Sequence, residues 1–390
     1  QTGGGTINMN AASGDYKING QGGVDSLTGG GGADIINGGA NADNISGGNG
    51  DDVLSGGADN DSLTGGAGTD TFKVDVGTDT ITDLGGASGG ETDVLIVSAG
   101  ATANATNITS FTADSSTSNS GTANLTTKVG GGTIDIGNST TGAYSLTGLS
   151  GNDTLKGNGN ADIINGGGGD DNIDGRGGND EINAGAGDDI ITVSSAGQGN
   201  GDTIDGGSGT DTLSLSSGSH AFATDAKLQN INSITLASTS TVIDLTGQTE
   251  SLTITGGAQA DTITAGSGDD IINGAGGADI IKGAGGIDTI SLGSSDSASD
   301  IIIFDASSGM DIIQQFTAGA TNGDILKYIG NLTDSESSAN TSTGSDNTDN
   351  LLSVDFVANA KNSSLDITHL VVGFTTAITV NGQSGGTAID

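Results

Sequence analysis

Residues 29–73 read GGGGADIIN, GGANADNIS, GGNGDDVLS, GGADNDSLT and GGAGTDTFK, five consecutive segments of nine residues each. Every segment has glycine at its first two positions, aspartate at its sixth, and leucine, isoleucine or phenylalanine at its eighth. A fixed period of this kind indicates a repeat architecture, in which each repeat buries its apolar surface only against its neighbours. We therefore begin the prediction of the fold from this nine-residue period.

The period recurs in three blocks of the sequence. The first block covers residues 20–73 in six units, because GQGGVDSLT precedes the five segments in register. The second block, residues 148–214, has seven units and a four-residue insertion at Val193 to Ala196, and the third, residues 256–291, has four. Position eight is leucine, isoleucine or phenylalanine in all seventeen units, although only 32% of the chain is hydrophobic. Chance agreement would be on the order of 10⁻⁸, so the register is real.

The apolar residue at position eight predicts a strand in every unit. Side chains alternate between the two faces of a strand, so these residues can all point inward. We expect two inner faces in the first block, formed by Ile36, Leu54 and Phe72 on one side and by Leu27, Ile45 and Leu63 on the other. Glycines at positions one, two and four permit positive φ and a close approach of carbonyl oxygens, beside the position-six carboxylate. The sequence thus predicts an all-β parallel solenoid with acidic turns.

Charge and composition indicate what must bind to these turns. The chain has 48 acidic and 9 basic residues, a net charge of −39, 74 glycines, 3% aromatic residues and no cysteine. Self-repulsion and a thin core oppose folding of the chain alone, and too few lysines and arginines are present for nucleic acid or anionic membranes. No stretch reaches the ~20 apolar residues of a membrane span. Without thiolates the ligands must be oxygens, which favours calcium with its six to eight oxygen ligands.

The nine-residue unit resembles the nonapeptide GGxGxDxUx of the RTX, or repeats-in-toxin, family, where U is a large apolar residue. The resemblance implies a parallel β-roll or β-helix, an elongated rod with two nonapeptides per coil, that folds when calcium is trapped between equivalent turns one coil apart. By this pattern Asp25 would share an ion with Asp43, and Asp34 with Asp52, to roughly a dozen ions in all. The candidate metal ligands are the position-six aspartates: Asp25, Asp34, Asp43, Asp52, Asp61, Asp70, Asp153, Asp162, Asp171, Asp180, Asp189, Asp202, Asp211, Asp261, Asp270, Asp279 and Asp288.

Four units depart from the repeat at position four. Asn41, Asp59, Asn160 and Gln259 replace glycine there, which leaves the local geometry of these turns open. Asparagine and aspartate tolerate positive φ better than most residues. In the absence of calcium, we expect the Gly, Asn and Asp-rich chain to behave as a flexible acidic linker.

A longer repeat divides the chain into three modules. Ile7 precedes Asp25 by 18 residues and Ile243 precedes Asp261 by 18, so a similar strand leads into the first and third blocks; a related one precedes the second. We predict module 1 at residues 1–132, module 2 at 133–241 and module 3 at 242–390, each with a lead-in, a block and, in the first two, calcium-poor β coils. Module 3 continues in degenerate repeats to about residue 326 and ends in a C-terminal β cap. The family resemblance implies a type I secretion signal there.

The sequence contains no pattern typical of an enzyme. His220 and His369 have no second ligand at metal spacing, and HExxH is absent. GxSxG occurs around Ser88 and Ser384, but neither context is the strand-to-helix elbow of a hydrolase. We therefore predict no catalytic residues and no cofactor other than calcium.

Two functions remain open. The leading hypothesis is a non-enzymatic, secreted extracellular structural protein, similar to RTX-type surface-layer or filament proteins, that folds on calcium and self-assembles into a homo-oligomer. The alternative is a stalk or fragment of a larger type I secreted RTX adhesin or toxin whose active domain lies elsewhere. Apolar residues at outward position seven, such as Ile35 and Val53, would serve lateral assembly or lie under a neighbouring loop.

Overall fold

The computed structural model describes residues 3–85, 92–194, 201–222, 224–293, 298–304, 311–315, 324–328, 355–356 and 369–372. They fall into two compact units, of which the first comprises residues 1–214 and 226–231 and the second residues 215–225 and 232–390. The described residues form 37 β-strands and one 3-10 helical turn, Asp225–Lys227. None of this part of the chain forms a helix long and apolar enough to cross a membrane. The three sequence modules, which rest on repetition, stay predictions.

The strands up to residue 127 are β1 (Thr6–Asn8), β2 (Lys17–Gly22), β3 (Ser26–Gly31), β4 (Ile35–Ala40), β5 (Asn44–Asn49), β6 (Val53–Ala58), β7 (Ser62–Ala67), β8 (Thr71–Val74), β9 (Thr78–Ile81), β10 (Val94–Val97), β11 (Thr102–Ile108), β12 (Ser110–Thr112), β13 (Ser118–Asn119) and β14 (Thr122–Thr127). Those from residue 133 to 244 are β15 (Thr133–Asp135), β16 (Ser145–Thr147), β17 (Thr154–Lys156), β18 (Ile163–Gly168), β19 (Asn172–Asp174), β20 (Glu181–Ala186), β21 (Ile190–Val193), β22 (Thr203–Ser208), β23 (Thr212–Leu215), β24 (Gly218–Ala221), β25 (Leu228–Gln229), β26 (Ser233–Leu236) and β27 (Thr241–Asp244). The remainder are β28 (Thr253–Thr255), β29 (Thr262–Thr264), β30 (Ile271–Asn273), β31 (Ile280–Lys282), β32 (Thr289–Ser291), β33 (Ile301–Phe304), β34 (Asp311–Gln314), β35 (Ile325–Tyr328), β36 (Asp355–Phe356) and β37 (His369–Val372).

The first unit is a parallel β-solenoid in which consecutive strands alternate between facing sheets. One sheet has the order β1-β3-β5-β7-β9-β11-β14-β16-β18-β20-β22-β25, and its neighbouring strands pair in parallel. Facing it, β2, β4, β6, β8, β10 and β13 form a second sheet, and β12, β15, β17, β19, β21 and β23 follow in order in a third. Within the blocks each strand pairs with the strand 18 residues later, so two nonapeptides complete one coil, as predicted.

The core of the first unit consists of two columns of position-eight side chains. Ile36 aligns with Leu54, which aligns with Phe72, while Leu27, Ile45 and Leu63 align on the other face. All six side chains are at most 1% exposed. The predicted inner faces are confirmed, and the core is one side chain thick from each sheet.

The coils between the first and second blocks continue the solenoid. Strands β9, β11, β14 and β16 pair in parallel without interruption, and Ala103 and Leu125 fill the core. These coils are longer than 18 residues, since Thr78 aligns with Thr102 and Thr102 with Thr122. The parallel solenoid therefore runs through this part of the chain without a linker; that its coils are poor in calcium stays a prediction.

The second unit has the same construction. Strands β24, β27, β29, β31, β33 and β35 form one parallel sheet, opposite a run of β26, β28, β30, β32 and β34. After β34 the direction changes, because β37 pairs with it antiparallel and β36 pairs antiparallel with β37. Antiparallel strands at this edge agree with the expected C-terminal β cap; most of the other residues predicted for it lie outside the described ranges.

A core substitution tests this architecture. Leu54→Ala removes a fully buried side chain from the middle of a column and leaves a cavity, so we expect the free energy of unfolding to fall by about 2–5 kcal/mol. Val53→Ala, at the neighbouring outward position, should cost about 0.5 kcal/mol. Urea unfolding in saturating calcium measures both; equal effects would contradict the inward direction of position eight.

Candidate metal centre

Position-six aspartates stack directly above one another, one coil apart, in what we call aspartate columns. The backbone N–H of Asp25 donates to Oδ1 of Asp43 at 2.8 Å, and that of Asp34 donates to Oδ1 of Asp52 at 2.7 Å. The same bond recurs between Asp153 and Asp171 at 2.7 Å in the second block. One oxygen of each carboxylate thus fixes the register between coils, and the other is left for a different partner.

All seventeen predicted aspartates lie in these columns and are at most 5% exposed. Each accepts a backbone N–H on Oδ1 from the preceding coil. The structure therefore brings together every carboxylate pair that the repeat spacing placed one coil apart. Whether each pair holds an ion stays a prediction.

Five further aspartates extend the columns, and the repeat alignment missed them. They are Asp79, Asp93, Asp300, Asp311 and Asp324, which accept N–H groups from Asp61, Asp70, Asp279, Asp288 and Asp300 at 2.8–3.1 Å. Each is followed two residues later by leucine or isoleucine, the same signal as position eight. Insertions and the loss of the leading glycine pair concealed them. With these five, the described chain has sixteen aspartate-on-aspartate steps.

Each column begins under a residue without a carboxylate. Above the first aspartates the N–H donors are Gly5, Tyr16, Gly132, Tyr144, Thr241 and Leu252. Tyr144 is buried, its hydroxyl lies 2.8 Å from Ser139 Oγ, and burial raises its pKa to about 12. A neutral side chain therefore closes the column above Asp162.

The second carboxylate oxygen is buried and, among the described residues, has no hydrogen-bond partner in twelve of the aspartates. These are Asp25, Asp34, Asp43, Asp52, Asp61, Asp79, Asp153, Asp171, Asp180, Asp189, Asp270 and Asp288. A buried ionised carboxylate that lacks a partner is costly, and proteins normally satisfy it with a cation. The pattern of unsatisfied Oδ2 atoms therefore fits a bound metal ion.

The glycine at position one makes room for other oxygens beside Oδ2. At Gly47 the place that a Cβ would occupy is bordered by Oδ2 of Asp52 and by the carbonyl oxygen of Gly65, one coil later. Gly48 and Gly50 of the same turn have φ of 117° and 108°, which side chains rarely adopt. Carboxylate and carbonyl oxygens from two successive coils thus converge on one turn. Within the described ranges no three acidic or histidine side chains cluster, so an ion here would need carbonyl ligands, as calcium readily accepts.

The four departures at position four fall into two kinds. Asn41 and Asp59 adopt φ of 74° and 79° and keep the left-handed turn. Asn160 and Gln259 do not appear among the described residues with positive φ. In the Asn160 turn, Oδ2 of Asp162 accepts the N–H of Asn158 at 2.8 Å, and in the Gln259 turn, Oδ2 of Asp261 accepts that of Gly257 at 2.7 Å. These two carboxylates are therefore satisfied by their own turns.

Burial and mutual repulsion raise the pKa of the stacked carboxyl groups. Burial is the main cause for Asp70, whose pKa rises to about 7, and the charges of Asp93 and Asp52 add to it. The pKa of Asp180 rises to about 8 for the same two reasons, burial and then the neighbouring Asp202 and Asp162. Without a cation, therefore, the folded columns hold protons near neutral pH.

The remaining candidate groups do not form a site. His220 is fully buried on β24, with Nε2 at 2.9 Å from the carbonyl oxygen of Ser216, and burial lowers its pKa. His369 lies in β37, and Ser88 and Ser384 lie outside the described residues. His220 is thus a core residue of the second unit.

Fold and site together define a class: a parallel β-roll whose glycine-rich turns present stacked carboxylates to a divalent cation. The sequence pattern of the RTX calcium-binding nonapeptide repeat, in four copies, matches residues 19–54, 46–81, 140–173, 165–195, 196–219 and 253–293. The chain belongs to the family of RTX repeat proteins, and calcium is the ion of these repeats. A search of curated protein sequences finds no match.

The raised pKa values predict an acid response of the calcium-free chain. In the fold, Asp70, Asp79 and Asp270 have pKa values of about 7, against 3.8 ordinarily. The folded state then binds more protons than the unfolded state between about pH 4 and pH 7, so folding becomes more favourable as pH falls through this window. Circular dichroism of the metal-free protein should show strand signal rising from about pH 8 to pH 4.5. A flat signal would contradict the stacking of buried carboxylates.

Proposed function

We propose that this chain is a non-enzymatic extracellular structural protein that folds on binding calcium and self-assembles into a surface layer or filament. The single observation that carries the calcium part is the set of buried aspartates whose Oδ2 atoms lack partners, beside glycine turns that admit carbonyl oxygens. The RTX family match supports the same ion.

Individual ligands follow from the columns. We assign one calcium to each step at which two aspartates stack, so that Asp34 and Asp52 share an ion and Asp52 and Asp70 share the next. Oδ1 keeps its bond to the backbone of the coil above, while Oδ2 and nearby carbonyl oxygens face the ion. When bound, calcium supplies the positive charge that offsets adjacent buried carboxylates.

Calcium binding then explains the conditions of folding. The net charge of −39 and the 74 glycines oppose a compact state until the columns are neutralised. Extracellular calcium modules typically bind with Kd near ~10⁻⁴–10⁻³ M, far above cytosolic calcium levels. A chain with such sites would stay unfolded during export and fold outside the cell, which supports the proposed location.

Self-assembly is supported by apolar residues on the outside of the sheets. At outward position seven, Ile35, Ile163, Ile190 and Ile271 are 46–55% exposed, so the described residues do not cover them. Val53 beside Ile35 is half-buried. Exposed isoleucines in several strands suit contacts between copies better than a chain that acts alone.

An isosteric substitution tests the calcium assignment. Asp52→Asn keeps the Oδ1 acceptor for Asp34 N–H but replaces Oδ2 by an amide nitrogen that cannot bind a cation. We expect the number of bound calcium ions to fall by about two, because Asp52 belongs to two steps. Equilibrium dialysis with metal analysis measures the count.

Asp51→Asn is the matched control for this experiment. Asp51 is exposed, and its Oδ1 accepts the N–H of Thr69 at 2.8 Å, a bond that asparagine can keep. The control removes the same charge from the adjacent residue and should leave the ion count unchanged. Identical counts in the two variants would refute the assignment of Asp52.

Assembly is tested separately by electron microscopy and light scattering in millimolar calcium. We expect ordered sheets or filaments that disperse to monomers when a chelator is added, because unfolding removes the strands that present the outward isoleucines. Ile35→Asp with Ile163→Asp should reduce assembly while strand content in calcium is retained. Folded monomers at every concentration would reject self-assembly and favour a stalk of a larger secreted adhesin or toxin.

A further inference from the structure

One aspartate column ends against a lysine. In the second block Asp162, Asp180 and Asp202 form a column, with Asp180 N–H donating to Oδ1 of Asp202 at 2.8 Å. Ile204 aligns with Leu228 in the next coil, which places Ala226 below Asp202. The 3-10 turn Asp225–Lys227 stands there in place of a glycine-rich turn. The next coil therefore offers Asp202 neither a carboxylate nor the usual turn.

Lys227 reaches back from this turn to the residues on either side of Asp202. Its Nζ donates to the carbonyl oxygen of Gly201 at 2.7 Å and lies 3.4 Å from Oγ1 of Thr203. Lys227, Gly201 and Thr203 all belong to the first unit. An ammonium group thus binds a backbone carbonyl oxygen at the turn that leads into Asp202.

The charge of Lys227 also acts on the carboxyl of Asp202. Burial raises the pKa of Asp202 to about 6, the Asp180 N–H opposes this rise, and the positive charge of Lys227 opposes it further. Asp79 ends a column of the first block above Ala103, and no cation is among the causes of its pKa, which rises to about 7. The two column ends therefore differ in having a fixed positive charge.

We propose that Lys227 is a built-in cation that closes this calcium column, doing at the last step what calcium does at the steps above. The inference rests on the proposed calcium function, because it assumes that the upper steps of the column hold ions. Lys227 is a positioning residue: it stabilises Asp202 so that Asp202 can serve the step with Asp180, and it makes a further ion below Asp202 unnecessary.

Three variants in saturating calcium test this role. Lys227→Met removes the charge and keeps the chain length, Lys227→Arg keeps the charge, and Lys73→Met removes one charge from an exposed site on β8 in the first block. We expect amide hydrogen exchange at residues 201–205 to become about fivefold faster in Lys227→Met, within about twofold of wild type in Lys227→Arg, and unchanged in Lys73→Met. Bound calcium should not increase in Lys227→Met.

The sign of the effect separates this role from simple repulsion of calcium. If Lys227 only repels ions, Lys227→Met binds calcium more tightly and exchange becomes slower, which would overturn the inference. Equal exchange in Lys227→Met and Lys73→Met would overturn it as well. Failure of Lys227→Met to fold while Lys227→Arg folds supports the need for a cation. If wild type does not fold on calcium, the proposed function fails instead.

Discussion

Stacked aspartates impose the constraint on which the rest of this molecule depends. The bond from the N–H of one aspartate to Oδ1 of the aspartate one coil later sets the register of the strands, and the same stacking places like charges in a buried row. Register and repulsion therefore have one origin. Position eight can form a continuous apolar column only when the carboxylates are aligned, and aligned carboxylates remain stable at neutral pH only with protons or cations beside them.

The nine-residue period was sufficient to predict the strands, their alternation between two facing sheets and the inward direction of residues such as Leu54. It succeeded because each coil repeats the same local choices, so that turn chemistry and apolar pattern agree. It also placed all seventeen aspartates in the columns. It missed Asp93 and Asp311 because insertions shift them out of the period, whereas the sheet can absorb a longer loop and restore the pairing of the next strand.

Other features depend on conformation or on distant contacts, which a repeat motif does not encode. Asn41 and Asn160 occupy the same repeat position with the same side chain, yet only Asn41 adopts positive φ. In the Asn160 turn, the carboxylate of Asp162 binds the turn itself. Lys227 lies outside every repeat unit, and only the folded chain shows that it reaches Gly201, 26 residues earlier. A column thus contains steps that differ in their need for an ion.

The alternation of strands between two sheets has a consequence for how such chains can change in length. Leu27 and Ile45, which lie one coil apart, share a sheet, while units nine residues apart belong to opposite sheets. Duplication or loss of eighteen residues leaves every later strand in its own sheet and every later carboxylate in its own column. A change of nine residues would exchange the two sheets for all that follows. Viable length variants should therefore come in pairs of repeats, and a gene of this kind would grow by whole coils.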